Sequence, residues 1–257
     1  LIFFLNIIKV INIINIMEKN IDELKKDGVT ILKAIYTKKD IQVLKKNALS
    51  IELDVNRTLN SNTIKSYNYN YYSLFDKEYS HKKKAYKLPK YNVIEVAKGR
   101  LDIGIDNQDI YIHLKIKSII HHFFTKHYES HIGILTSNSK SHNGIWHRDV
   151  VNICGEADKN GNYDDSKMVH DFEPFYINVL IPLVPLNKDN GSTEFILGSH
   201  KKTYNELNET KGIQYTTDIG DVIIFDGRIF HRGRENKTNM SRTIIYNVYH
   251  RCWYNDN

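Results

Sequence analysis

Cysteine, proline and uninterrupted apolar stretches are what this sequence has least of. Its 257 residues include two cysteines, Cys154 and Cys252, too few for a disulfide framework and without metal-knuckle spacing. Two free thiols and a reducing, cytoplasmic setting follow. Four prolines and 13 glycines exclude collagen-like and broadly disordered architectures. A membrane-spanning helix wants roughly 20 largely apolar residues. The most apolar run, LIFFLNIIKVINIINI at 1–16, is shorter and is broken by Asn6, Lys9, Asn12 and Asn15. It also lacks the basic start and small-residue cleavage site of a signal peptide. Residues 1–16 are therefore expected to be a lead outside the fold, translated upstream sequence or a disordered segment; a weak membrane anchor is the second reading. No internal repeat or low-complexity linker divides the remainder, so 17–257 is expected to form one domain.

Neither sign of charge dominates. Thirty-six Lys and Arg against 30 Asp and Glu give a net charge of +6, spread along the chain, which permits but does not indicate nucleic-acid binding. A helix is expected from Asp22 and stopped by Gly28, then a strand at 29–35 and a helix near 38–49. Residues 55–92 are rich in Asn, Tyr and Lys with little periodicity and are expected to be a long loop or insertion. Its basic run HKKKAYK at 81–87 reads as solvated surface. Apolar spacing at 110–124 predicts another helix. Short β-type runs follow at 131–137, 175–184, 193–197, 213–217, 221–226, 228–232 and 242–250, divided by turn signals such as Asp189-Asn190-Gly191 and Asp226-Gly227. The fold class is mainly β with flanking helices (α+β), a sandwich or jelly roll.

The chemistry-bearing residues are ordered along this β half. Trp146-His147-Arg148-Asp149 holds the one His-x-Asp of the chain; residues two apart on an extended strand share a face and can reach one ion. With 12 histidines and 18 aspartates in the chain, about one such pair arises by chance, so its context matters. Behind it come Asn190-Gly191 and Gly198-Ser199-His200, then Gly220-Asp221 opening a buried strand, then His231, then Arg242 eleven residues later.

In that order the sequence resembles the phytanoyl-CoA dioxygenase family of Fe(II)- and 2-oxoglutarate-dependent oxygenases, over about residues 17–251. The resemblance implies a double-stranded β-helix (jelly roll, cupin-like) core. It implies His147, Asp149 and His231 as iron ligands, a facial triad that leaves three positions open, to be filled by 2-oxoglutarate as a chelate and by O2. The implied activity is hydroxylation of a small or medium-sized organic substrate, with release of succinate and CO2 and ascorbate as an accessory reductant. Arg242 is then the partner of the distal carboxylate of 2-oxoglutarate, which a guanidinium fork matches bidentately, and Asn138 is a second co-substrate contact. Leu197 stands where the family usually has Pro, and Ser192-Thr193-Glu194-Phe195 is more polar than the common version, which bears on loop geometry. Asp149 is the carboxylate that halogenating relatives lack, so hydroxylation is favoured over halogenation.

Other readings stay open at this level. An oxygenase acting on nucleic acid or protein is motivated by the charge and the 81–87 run, with Arg251 as a stray candidate. A non-catalytic jelly-roll binding module is the third reading. His121, His122, His127 and His131 form a second cluster, but Tyr128 stands where the helical metalloprotease pattern has Glu. Trp146, Tyr176 and Phe230 read as core before substrate platform. The segment 155–171, with 55–92, is expected to shape a lid; neither the substrate nor the oligomeric state is legible.

Overall fold

The computed structural model of the protein describes residues 17–61, 65–72, 80–105, 112–125, 127–150, 172–203 and 206–254. The expected lead at 1–16 and lid segment at 155–171 lie outside them. The first helix, α1 (residues 17–27), ends at Gly28, whose φ of 81° and N–H donated to Leu24 O at 3.0 Å make the expected C-terminal glycine. Strand β1 (Val29–Leu32) leads to α2 (Lys38–Leu59), which starts at a reciprocal cap. The Asp40 N–H donates to Thr37 Oγ1, and the Thr37 N–H donates to Asp40 Oδ2. Its buried residues Ile41, Leu44, Ala48, Ile51 and Val55 recur at steps of three and four, one face of a helix. Helix α3 (Leu114–Phe124) likewise buries Ile116, Ile119, Ile120, Phe123 and Phe124.

Among the described residues nine antiparallel strands form the major sheet, in the order β1, β10 (Val222–Asp226), β7 (Tyr176–Pro182), β12 (Arg242–Arg251), β6 (Tyr128–Ser137), β5 (Arg100–Ile105), β4 (Tyr91–Ala97), β3 (Ser80–Lys87), β2 (Tyr67–Tyr72). Alternation along these strands divides two cores. Ile177, Val179, Ile181, Val222, Ile224 and Ile245 join the helices on the outer face, each worth about 1.5–3 kcal/mol when buried. Leu180, Ile223, Phe225 and Ile244 point the other way, against Phe195, Leu186 and Ile229. The minor sheet facing them is β11 (His231–Gly233), β8 (Thr193–Phe195) and β9 (Ile213–Gln214). Lone bridges His147–His231 and Leu186–Thr217 extend it. Two antiparallel sheets closed on one apolar layer, with helices on the outer face, make the expected jelly-roll core.

Several expectations are corrected. Where 55–92 is described it is mostly not a loop: α2 runs on to Leu59, and β2, β3 and β4 continue the major sheet beyond β5, so the 81–87 run is a strand, its Lys84 and Lys87 exposed. Residues 227–230 form a turn, so only the end of the expected 228–232 strand is extended. His131 lies within β6 and His127 just before it, so their spacing of four places them on no helical face. Among the described residues no helix is long and apolar enough to cross a membrane.

Candidate metal centre

His147 and His231 face each other across the bridge that joins the two halves of the chain. Each donates its backbone N–H to the other's carbonyl at 3.0 Å, and residues so opposed project to the same side. Their rings lie with centroids 4.3 Å apart. Both Nδ1 atoms sit against a carbonyl two residues upstream, Ile145 O at 2.9 Å and Ile229 O at 3.0 Å. A carbonyl only accepts, so Nδ1 carries the proton and each Nε2 presents its lone pair to the centre. Burial pulls His231 down to about 4, with Asp149 opposing and His147 adding to the shift, so this imidazole is neutral at pH 7.

Asp149 completes the group. Its N–H donates to Gly227 O at 2.8 Å, and its Oδ2 accepts from Asn178 Nδ2 at 2.8 Å. Oδ1 is left 3.4 Å from His147 Nε2 and 3.6 Å from His231 Nε2. Burial alone would raise this carboxyl, yet the two histidines and the Asn178 hydrogen bond outweigh it and keep it below the ordinary aspartate value. Adjacent ligands of an ion with bonds of about 2.1 Å stand about 3 Å apart, close to these spacings. Among the described residues this is the one His/Cys/Asp/Glu group whose ligand atoms all lie within 4.8 Å of one another. The donor set, two imidazoles and a carboxylate, is that of a non-haem Fe(II) site with open positions.

The Gly-Ser-His corner holds both segments that carry the candidate ligands. Ser199 Oγ accepts the N–H of Phe230, next to His231, at 2.8 Å, and Ser199 O accepts from Arg148 Nη2, between His147 and Asp149, at 3.0 Å. Gly191, Gly198 and Gly220 have φ of 75°, 70° and 93°, as their turn positions require. Leu197 packs against the inter-sheet core. Trp146 and Phe230 are buried in one apolar cluster beneath the guanidiniums of Arg232 and Arg148, each 4.4 Å from a ring, and Tyr176 is buried against His250.

Arg242 is fully buried on the inner face of β12. Its Nη2 donates to Ser137 Oγ, while Nε and Nη1 have no acceptor among the described residues. Asn138 is not brought to it. That residue is exposed just beyond β6, its Oδ1 3.5 Å from Ser241 Oγ. The register pairs Ser137 with Arg242, and a neighbour one residue on points to the other face. Arg251 donates to Phe123 O and Phe124 O, securing the end of α3, and His121 and His122 lie exposed in the last turn of that helix. Sequence reasoning missed Asn178, Ser137 and the pair Asp102–Tyr246, in which Tyr246 Oη donates to Asp102 Oδ1 at 2.8 Å.

Known proteins share the family and the fold. The family model for phytanoyl-CoA dioxygenase (PhyH) matches residues 24–244. The dioxygenase lolE1 of Epichloe uncinata is 30% identical over 89 residues, 31% of this chain and 35% of that protein, so the match spans about a third of the relative's length. The structure of AviO1 from Streptomyces viridochromogenes Tue57 superposes with a TM-score of 0.59 at 16% identity, over 93% of this chain and 96% of that one. HygX from Streptomyces hygroscopicus, solved with nickel, 2-oxoglutarate and hygromycin B bound, gives 0.55 at 11% identity, over 93% and 88%. The order of motifs, the jelly roll they build and a family match that runs from α1 into the last strand agree: the chain belongs to the phytanoyl-CoA dioxygenase family.

Proposed function

We propose that the chain is an Fe(II)- and 2-oxoglutarate-dependent dioxygenase that hydroxylates a small or medium-sized organic molecule, releasing succinate and CO2. One observation carries the reading. Nε2 of His147, Oδ1 of Asp149 and Nε2 of His231 converge, and β12 beside them carries a fully buried guanidinium with two unused nitrogens. A buried charge without a partner is costly, and a carboxylate is the ligand that matches it. Iron(II) with 2-oxoglutarate would supply the activation of dioxygen and the oxidative decarboxylation of the co-substrate.

The side chains then have separate tasks. His147, Asp149 and His231 would hold the metal, a donor set that leaves room for a co-substrate and dioxygen. Asn178 fixes the carboxylate so that one oxygen faces the centre. Arg242 orients the co-substrate by its distal carboxylate, with Ser137 steadying the guanidinium. Asp102, two residues along β5 from Arg100, and Tyr246, four residues along β12 from Arg242, form a hydrogen-bonded polar wall on the same inner face, suited to a substrate hydroxyl or amine. Retention of Asp149 supports hydroxylation over halogenation, and a relative solved with hygromycin B bound supports a small-molecule substrate.

The test is succinate formation from 2-oxoglutarate by the purified chain with iron(II) and ascorbate, which proceeds at a basal rate without the true substrate. His147→Ala is expected to lower both succinate formation and iron affinity by more than about 100-fold. A parent protein that neither takes up iron nor forms succinate would identify a binding module instead.

A further inference from the structure

Arg242 does not stand alone in its row. Along the strands, Arg100 pairs with Ser137 and Ser137 pairs with Arg242, so three residues lie side by side across β5, β6 and β12. Residues directly opposite in antiparallel strands project to the same face, which for Arg242 is the inner face, where Ser137 Oγ accepts from it. Arg100 is 2% exposed and Arg242 0%, and no carboxylate among the described residues bonds to either guanidinium. Arg100 Nη1 makes one long hydrogen bond, 3.4 Å to Arg234 O, and its Nη2 has no acceptor; Arg242 contributes two further idle nitrogens. Burial lowers the Arg100 guanidinium to about 10, and Arg100 adds to the depression of Arg242. Two adjacent buried cations repel each other unless something neutralises them.

The minor sheet makes room for the first of them. The tip of Arg100 lies against Gly233, two residues beyond His231 on β11, where an added Cβ would overlap the guanidinium. Gly233 is therefore needed for space, and Arg100 reaches from the major sheet to the strand that carries a metal-binding histidine.

We propose that Arg100 is a second carboxylate-binding residue of the co-substrate pocket, so that the distal carboxylate of 2-oxoglutarate lies between Arg100 and Arg242, over Ser137. A carboxylate has two oxygens and about four acceptor sites, enough for three idle guanidinium nitrogens. The pocket is then selective for a 2-oxo diacid over a 2-oxo monoacid of the same length, and Arg100 sets part of that selectivity. The inference rests on the reading of Arg242 given above.

The experiment is calorimetric titration of manganese(II)-loaded protein with 2-oxoglutarate and, in parallel, with 2-oxovalerate, in which a methyl group replaces the distal carboxylate. Arg100→Gln is expected to weaken 2-oxoglutarate about ten- to a hundredfold, the range for losing a charge-assisted hydrogen bond. Binding of 2-oxovalerate and of manganese should change less than about twofold. Because the substitution removes an unneutralised buried charge, the ligand-free protein should melt no lower than the parent. Gly233→Ala keeps both charges and displaces only the tip of Arg100; it should give the same selective loss, and it decides the question if Arg100→Gln does not fold. Unchanged 2-oxoglutarate affinity in Arg100→Gln, or equal loss for both ligands, overturns the proposal. Arg242→Gln separates the two levels. If it loses 2-oxoglutarate while Arg100→Gln does not, only the role of Arg100 falls; if neither loses it, the reading of the pocket falls as well.

Discussion

Asp102 lies beside the proposed metal ligands without being one of them. Burial pushes its carboxyl up to about 6, the hydrogen bond from Tyr246 opposes this, and Asp149 adds to it. The folded state therefore holds this proton more tightly than the unfolded chain, in which Asp titrates near 3.9. The sign follows: stability associated with Asp102 is fully present below about pH 4 and is lost as pH rises through about 6, by on the order of 2–3 kcal/mol. Asp102→Asn keeps an acceptor for Tyr246 Oη and removes the titration. Denaturant melts in the presence of a chelator should show the variant gaining on the parent between pH 4 and 7, and parallel curves would exclude the assignment. At this scale the grouping of His147, Asp149 and His231, and Arg242 as a candidate for the co-substrate, were legible from residue types and their order. Arg100, Ser137 and Asn178 were not, because strand register alone decides what they face. Asn138 shows how sharp that is: Ser137, one position earlier, is the residue paired with Arg242.

Between elements, the connection that matters most for the centre is the 3-10 turn Ser199–Lys201 following β8. Ser199 touches no metal-binding atom, yet its hydroxyl and carbonyl hold the backbone before His231 and the side chain between His147 and Asp149. Ser199→Ala leaves the buried Phe230 N–H without an acceptor, at a cost of about 1–3 kcal/mol. Iron(II) affinity is expected to fall about tenfold or more, as for other groups that orient metal ligands, while Ser199→Thr restores the acceptor. Wild-type metal affinity in Ser199→Ala would show that the corner does not position the ligands. The same scale explains what the sequence hid. Strands β7, β10 and β12 were evident because both faces are buried and their apolar runs are nearly continuous. Strand β2, YNYNYY, is the last of the described sheet and β3, SHKKKAYK, lies between it and β4; at an edge polar residues discourage further pairing, and in both strands polar and basic residues erase the apolar signal. In α2 the start near Lys38 was readable, but its cap was not read and the polar run SIELDVNRTL concealed its last three turns.

In the molecule as a whole, the candidate centre spans the two sheets beside the apolar layer between them. His231 belongs to the minor sheet, His147 extends that sheet through a lone bridge, and Asp149 is tied to the major sheet through Asn178 on β7. A divalent ion bound by all three therefore links the two sheets, and whatever binds only the folded state stabilises it by mass action, about 2.7 kcal/mol at a hundredfold excess over the dissociation constant. For a chain of this length that corresponds to a rise in Tm on the order of 5–10 °C. Manganese(II) at saturating concentration should produce this shift in the parent protein, and 2-oxoglutarate should add to it only when the metal is present, since the chelate needs both ends of the pocket. His231→Ala should melt near the metal-free parent and respond to neither ligand. Metal stabilisation that survives in His231→Ala would mean that the ion sits elsewhere, and a parent protein indifferent to manganese would mean that the three side chains do not act as one site.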